Sequence, residues 1–143
     1  MREVKRSALV AQPASAMFAL INDIESYPQF VPGVTHARVE SRGDREIVAT
    51  LGVKRGAMKA EFTTRNILEP DSRIVMKRVR GPFRELEGVW QLTPIGAQGC
   101  KVELTLRFAF SNPLSALVFD SLFEATATSL VDAFVVRARV LPL

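Results

Sequence analysis

One cysteine, Cys100, and one histidine, His36, stand among 143 residues, and the two scarcities remove whole classes of chemistry. A single cysteine cannot build an internal disulfide framework, and such sparse use fits a reducing compartment. No cluster of Cys and His has metal-ligand spacing, so no metal is expected. His36 has no second base or ligand near it and reads as a hydrogen-bonded or solvated side chain. Cys100 lies beside Lys101, which favours a thiolate, yet a nucleophile needs a base partner and none is visible. No glycine-rich loop opens a helix after a strand, which excludes a nucleotide cradle. The pair Glu85 and Glu87 falls on the polar side of a strand. The expectation is a protein that is not an enzyme, with no catalytic residue and no required cofactor.

Long apolar runs are also missing. The longest is Ala16 to Ile21, far below the roughly 20 residues of a membrane-spanning helix. The charges of Arg2, Glu3, Lys5 and Arg6 have no apolar stretch behind them, so no signal peptide is expected. With 48% hydrophobic and 24% charged residues, the chain reads as one globular domain over residues 1–143. The expected location is the cytoplasm, with any membrane contact peripheral and at the inner membrane.

The net charge of +4 is uneven. Between Lys54 and Arg84 stand Lys54, Arg55, Lys59, Arg65, Arg73, Lys77, Arg78, Arg80 and Arg84, opposed only by Glu61, Glu69 and Asp71. Such a run makes either solvated strand faces or an electropositive surface for RNA, lipid headgroups or an acidic protein. Arginines outnumber lysines fourteen to five, and planar guanidinium groups suit bidentate phosphate contacts.

The pattern of elements is strand, helix, then strand after strand, and a long terminal helix. Glu3–Val10 alternates as a first strand. Pro13 opens a helix to about Ile24 with Ala14, Met17, Phe18, Ile21 and Ile24 on one face and Gln12 as a weak N-cap. Tyr27-Pro28-Gln29-Phe30-Val31-Pro32-Gly33 fits no regular strand or long helix; Ser26 is expected to cap a single turn there. Its apolar side chains must turn inward or meet a ligand. Six strands follow: Thr35–Ser41, Glu46–Lys54, Ala57–Leu68, Arg73–Arg80, Arg84–Thr93 (stopped by Pro94) and Cys100–Phe110. Their period-two alternation predicts one apolar and one wet face. Asn112 as N-cap and Pro113 at the first position start a helix to Leu141, about 40 Å long. Its apolar stripe is Phe119, Phe123, Ala127, Leu130, Phe134, Ala138 and Leu141, while Asp120, Glu124, Thr128 and Asp132 recur on another face. Arg137 and Arg139 suit the negative end of its dipole. A one-sided sheet and a long amphipathic helix assemble by the sheet curling around the helix. Gly52, Gly88, Ala49 and Ala60 would leave room between them, unless large residues such as Trp90 and Phe108 fill it.

This order resembles the α+β helix-grip fold of START-like lipid-binding domains and polyketide cyclases, a seven-stranded curved antiparallel sheet around a C-terminal helix. Tyr27-Pro28-Gln29-Phe30-Val31-Pro32 is similar to a signature of the coenzyme Q-binding family. The similarity continues through Phe62-Thr63-Thr64-Arg65-Asn66, Gly81-Pro82-Phe83, Gly88-x-Trp90, Thr93-Pro94 and Phe108-x-Phe110-x-Asn112-Pro113-Leu114. Within that family the chain looks most like bacterial members of the ribosome association toxin type. One departure is plain: many relatives carry a cysteine where this chain has Val34.

The resemblance implies binding of ubiquinone or a similar polyprenyl lipid, in support of respiratory electron transport or quinone biosynthesis, without a catalytic step. Burying a prenyl chain gains about 25 cal/mol per Å² of apolar surface. Tyr27, Pro28, Phe30, Val31 and Pro32 would form the cavity mouth. Phe18, Phe62, Trp90, Phe108, Phe110, Phe123, Leu130 and Phe134 would line it. The alternative implied is binding of the large ribosomal subunit and inhibition of subunit association. The basic surface would then be Lys54, Arg55, Lys59, Arg65, Lys77, Arg78, Arg80 and Arg84, which would meet RNA or lipid headgroups, with no DNA partner expected.

Overall fold

The computed structural model describes residues 1–140. Strand β1 (Arg2–Val10) is followed by helix α1 (Ala14–Asn22), a 3₁₀ turn (Ile24–Ser26) and the single-turn helix α2 (Tyr27–Phe30). Then come β2 (Val34–Arg42), β3 (Glu46–Arg55), β4 (Met58–Glu69), β5 (Arg73–Arg80), β6 (Phe83–Ile95), β7 (Gly99–Phe110) and helix α3 (Pro113–Val140). All strands lie in one antiparallel sheet of order β1-β7-β6-β5-β4-β3-β2. Strands β2 to β7 form a meander, and β1 is added outside β7. The two short helices carry the chain from one sheet edge to the other. This is the α+β helix-grip arrangement expected from the sequence.

Bending has local causes. Register slips in β2 near Val34/His36 and Val39/Ser41, in the β4–β5 pair at Thr63/Thr64, and in the β6–β7 pair at Phe83/Glu85. Each bulge increases the twist and bends its strand. The curved sheet receives α3, which packs against β1, β7, β3 and β4.

Helix α3 begins as its sequence predicts: Asn112 Oδ1 accepts the Ser115 N–H at 2.9 Å. Its buried stripe holds Phe123, Ala127, Leu130, Phe134 and Ala138, and is widened by Leu122, Val131 and Ala133; Leu141 lies outside the described residues. Phe119 is half-buried against Phe110, ring centres 5.7 Å apart. By length and composition α3 would qualify as a membrane span, because Ser, Thr and Ala separate its apolar residues without adding charge. Its stripe nevertheless makes it a partly buried core helix. The acidic side of α3 clamps β1: Arg2 pairs with Glu124, and Arg6 Nε donates to Thr128 Oγ1 at 2.9 Å.

Several local expectations change. Helix α1 stops at Asn22, because Asp23 leaves helical geometry at φ −83°, ψ 61°; Ile24 is still buried, but in the 3₁₀ turn. Its N-cap is Pro13 rather than Gln12. Gln12 serves the opposite helix end, where its Nε2 donates to the Ala138 carbonyl of α3 at 2.6 Å. Ser26 makes no capping bond; its hydroxyl donates to Asp23 Oδ2 at 2.7 Å. Strand β6 runs on through Pro94 to Ile95, opposite Cys100 and Gly99. Proline is tolerated there because β5 pairs with β6 only as far as Gln91, so one side is an open edge.

Replacing Asn112 with Ala removes the cap and should lower the unfolding free energy by about 1 kcal/mol, while Asn112→Ser stays within a few tenths. Urea denaturation of the two variants checks this.

Candidate functional site

A cavity lies between the concave face of the sheet and the middle of α3. Ala49 and Leu51 of β3, Phe62, Thr64 and Asn66 of β4, Ile74 and Met76 of β5 and Leu86, Gly88 and Trp90 of β6 form its floor. Leu104, Leu106 and Phe108 of β7 complete the floor, Phe123, Thr126 and Leu130 of α3 roof it, and Ile21, Asn22, Ile24 and Tyr27 close one end. Its walls are almost wholly apolar. The cavity volume is about 60 Å³, against the roughly 300–1,000 Å³ of pockets that enclose drug-sized ligands.

Two aromatic clusters set that size. At one end Phe123 meets Phe83, Phe62 and Phe108 with ring centres 4.5, 5.3 and 6.2 Å away. At the other end Phe134 meets Trp90 at 5.3 Å and Tyr27 at 5.4 Å. The rings of α3 thus touch the sheet directly at both ends, and the cavity lies between them.

Of the residues assigned to the mouth, Tyr27 is buried and borders the cavity, and its hydroxyl donates to the Ile21 carbonyl. Burial, with the charge of Asp23 adding, pushes its phenol far above the ordinary tyrosine range. Phe30 is half-buried with its ring nearly perpendicular to that of Tyr27, and the Arg137 guanidinium sits 5.1 Å from its ring centre. Val31 is buried in the core; Pro28 and Pro32 are exposed, and Pro32 borders a surface groove instead. Of the residues assigned to the lining, Phe62, Trp90, Phe108, Phe123 and Leu130 border the cavity. Phe110 and Phe134 stand in a second layer: Phe110 stacks on Phe83 at 5.0 Å and Phe134 backs Trp90. Phe18 is partly buried on α1, packed against the core.

The Thr64–Asn66 pair falls outside the residues assigned to the lining, although Thr64 alternates onto the same face as Phe62. Thr64 Oγ1 donates to Asn66 Oδ1 at 2.7 Å, both buried on the inner face of β4. Their parity with Phe62 was the available signal. No carboxylate, imidazole, amine or thiol borders the cavity among the described residues. Cys100 is buried at the start of β7, where burial pushes its thiol up. Gly52 does not open the interior, since it faces outward under the His36 ring, which occupies the place of its missing Cβ. Gly88 does face inward, where an added Cβ would lie 2.5 Å from Met76 Cε. Ala49 borders the cavity and Ala60 does not.

The basic residues divide into two groups. On the convex face Arg65 pairs with Glu46 at 2.9 Å, Lys77 with Glu87 at 3.6 Å, and Arg80 Nη2 with Glu40 Oε2 at 2.7 Å. Beneath the Arg80–Glu40 pair, Thr50 and Thr63 share a hydrogen bond of 2.6 Å and are buried, so the face expected to be wet is partly roofed by its own ion pairs. His36 Nε2 lies 2.7 Å from Glu61 Oε2 in the same lattice. The second group, Lys54, Arg55, Lys59, Arg78 and Arg84, gathers at the end of the sheet where α3 starts. Arg78 there reaches the Gly81 carbonyl.

A seven-stranded antiparallel sheet gripping a C-terminal helix over an apolar cavity defines the START-like class. The chain belongs to the family described as polyketide cyclase / dehydrase and lipid transport, whose model matches residues 10–135. The ribosome association toxin RatA of Escherichia coli (strain K12) is 40% identical over 139 residues, 97% of this chain and 88% of that protein. RatA of Pseudomonas aeruginosa is 41% identical over 138 residues, 96% of each. Among solved structures, a START superfamily protein from Mycobacterium smegmatis superposes with a TM-score of 0.82 at 20% identity, covering 98% of this chain and 99% of that one. The Zhui aromatase/cyclase from Streptomyces gives 0.85 at 18% identity, covering 96% and 93%.

Two outcomes are expected. Phe123→Ala should cost about 3–5 kcal/mol in denaturant unfolding and enlarge the cavity. The second concerns acid. Hydrogen bonds from Arg80 hold the Glu40 carboxyl below the usual carboxylate range, and His36 does the same for Glu61. A lowered folded pKa gives stability that is complete above the unfolded carboxylate range, about 4.3 for Glu, and is lost as pH falls through the folded values. Tm should therefore hold down to about pH 5 and fall below that, and Arg80→Gln should flatten the fall in a thermal-melt series.

Proposed function

We propose that this chain acts as a ribosome-associating protein of the toxin type, contacting the large ribosomal subunit and opposing subunit association. The observation that carries this is the pair of relatives bearing that name at 40% and 41% identity across nearly the whole chain. Lys54, Arg55, Lys59, Arg78 and Arg84 are the groups best suited to phosphate contact, since Arg65, Lys77 and Arg80 already have carboxylate partners. The small cavity adds no support for a large ligand as the main business of the fold.

A second reading rests on the cavity and on the lipid transport named in the family description: the interior takes up ubiquinone or another hydrophobic lipid. That requires α3 or the α1–α2 segment to move outward, because about 60 Å³ holds no quinone ring with a tail. The residues bordering the cavity offer a ligand the Thr64–Asn66 pair, while Tyr27, Asn22 and Thr126 already donate to backbone carbonyls.

Sedimentation with large ribosomal subunits at two salt concentrations tests the first reading. Co-migration is expected at low salt, with affinity at least tenfold weaker between about 50 and 200 mM, as counterion release demands. Absence of co-migration at low salt would remove it. For the second reading, solvent extraction of the purified protein should release a polyprenyl quinone or similar lipid, with less released from Leu130→Trp, which fills the cavity.

A further inference from the structure

The first turns of α3 carry an apolar face that no other described residue covers. Leu114, Leu117 and Val118 are 70%, 80% and 41% exposed. At about 100° per residue these three share one side of the helix with Ser121, opposite Phe119 and Phe123. The helix cannot hide one set without exposing the other.

Cations stand on both flanks of this face. On one side Arg55 Nη1 donates to the Ser121 carbonyl at 3.3 Å, and Lys54 borders the same groove. Lys59 is the direct cross-strand partner of Lys54. Two ammonium groups opposite one another on a hairpin repel, and no ion pair joins either to a carboxylate among the described residues. On the other side Arg84 borders a groove with Pro113 and Ala116. The nearest acids on α3, Asp120 and Glu124, already face Arg2 and Arg6.

We propose that this end of the molecule docks on an anionic lipid bilayer. Leu114, Leu117 and Val118 enter the boundary between headgroups and acyl chains, and Lys54, Arg55, Lys59 and Arg84 meet lipid phosphates. Apolar side chains inside a basic collar are what such a surface rewards. RNA rewards the cations but offers little to aliphatic groups, since its exposed bases stack on aromatic or guanidinium planes. A second copy docked about a two-fold axis would press two faces of the same positive charge together. The proposal does not depend on the ribosome reading.

The test is flotation of the full chain with vesicles of phosphatidylcholine alone and of phosphatidylcholine with phosphatidylglycerol. Binding is expected to the anionic vesicles and at least tenfold more weakly to the neutral ones. Leu117→Glu should lower it at least tenfold, and Lys54→Gln or Lys59→Gln about fivefold each. All three positions are exposed, and an unchanged Tm with unchanged Trp90 fluorescence confirms that each variant is folded. Large-subunit co-sedimentation of Leu117→Glu should match that of the unaltered protein. Equal flotation of the unaltered protein and Leu117→Glu would overturn the proposal, as would no flotation with anionic vesicles at low salt. Loss of ribosomal-subunit binding by Leu117→Glu without any vesicle binding would also overturn it, giving the face to the ribosome.

Discussion

The fold depends on one helix touching a concave sheet at two places. Phe123 and Phe134 lie three turns apart on α3, and each is the centre of its own aromatic cluster. Without α3 the inner face would present Phe83, Trp90, Leu104 and Phe108 to water, all of which are now buried. The helix would in turn lose the partner for its stripe, and with it the tertiary packing that sustains most protein helices. β1 is held into the same unit from the other side, by β7 along its length and by the Arg2 and Arg6 contacts to Glu124 and Thr128.

Stability and capacity therefore compete for the same atoms. Moving Phe123 or Phe134 away from the sheet would open the interior, but would forfeit the edge-to-face contacts and apolar burial that hold helix and sheet together. The small cavity is what remains after this competition is settled in favour of packing. A polar pair at Thr64 and Asn66 persists within it because the two side chains satisfy part of each other's hydrogen-bonding need.

Much of this was legible in the sequence because it is periodic. Alternation along β3, β4, β6 and β7 identified the inner face, and the spacing of Phe123, Ala127, Leu130 and Phe134 identified the packed side of α3. Gly52 was misplaced although its parity with Thr50 already marked it as outward. What periodicity cannot carry is pairing between distant segments. The basic excess from Lys54 to Arg84 looked like a single patch because Glu40, Glu46 and Glu87, which neutralise half of it, lie outside that window. Gln12 looked like a poor cap for the helix beside it, and its role at Ala138 could not be seen from neighbours in sequence. Cavity size was equally hidden, since it depends on how rings interdigitate to within an ångström.

The order of strands also constrains how the molecule comes into being. β1 precedes β2 in sequence, yet among the described strands it pairs with β7, with Arg2 set opposite Phe108. The meander from β2 to β7 can zip up hairpin by hairpin as the chain lengthens, whereas β1 must wait, unpaired, until β7 has been made. Closing that loop is a late and entropically costly event. Until β7 is in place the exposed species is therefore a partial sheet with an open edge and an unpaired β1. Its protection from mispairing falls to the charges along that strand, Arg2, Glu3, Lys5 and Arg6.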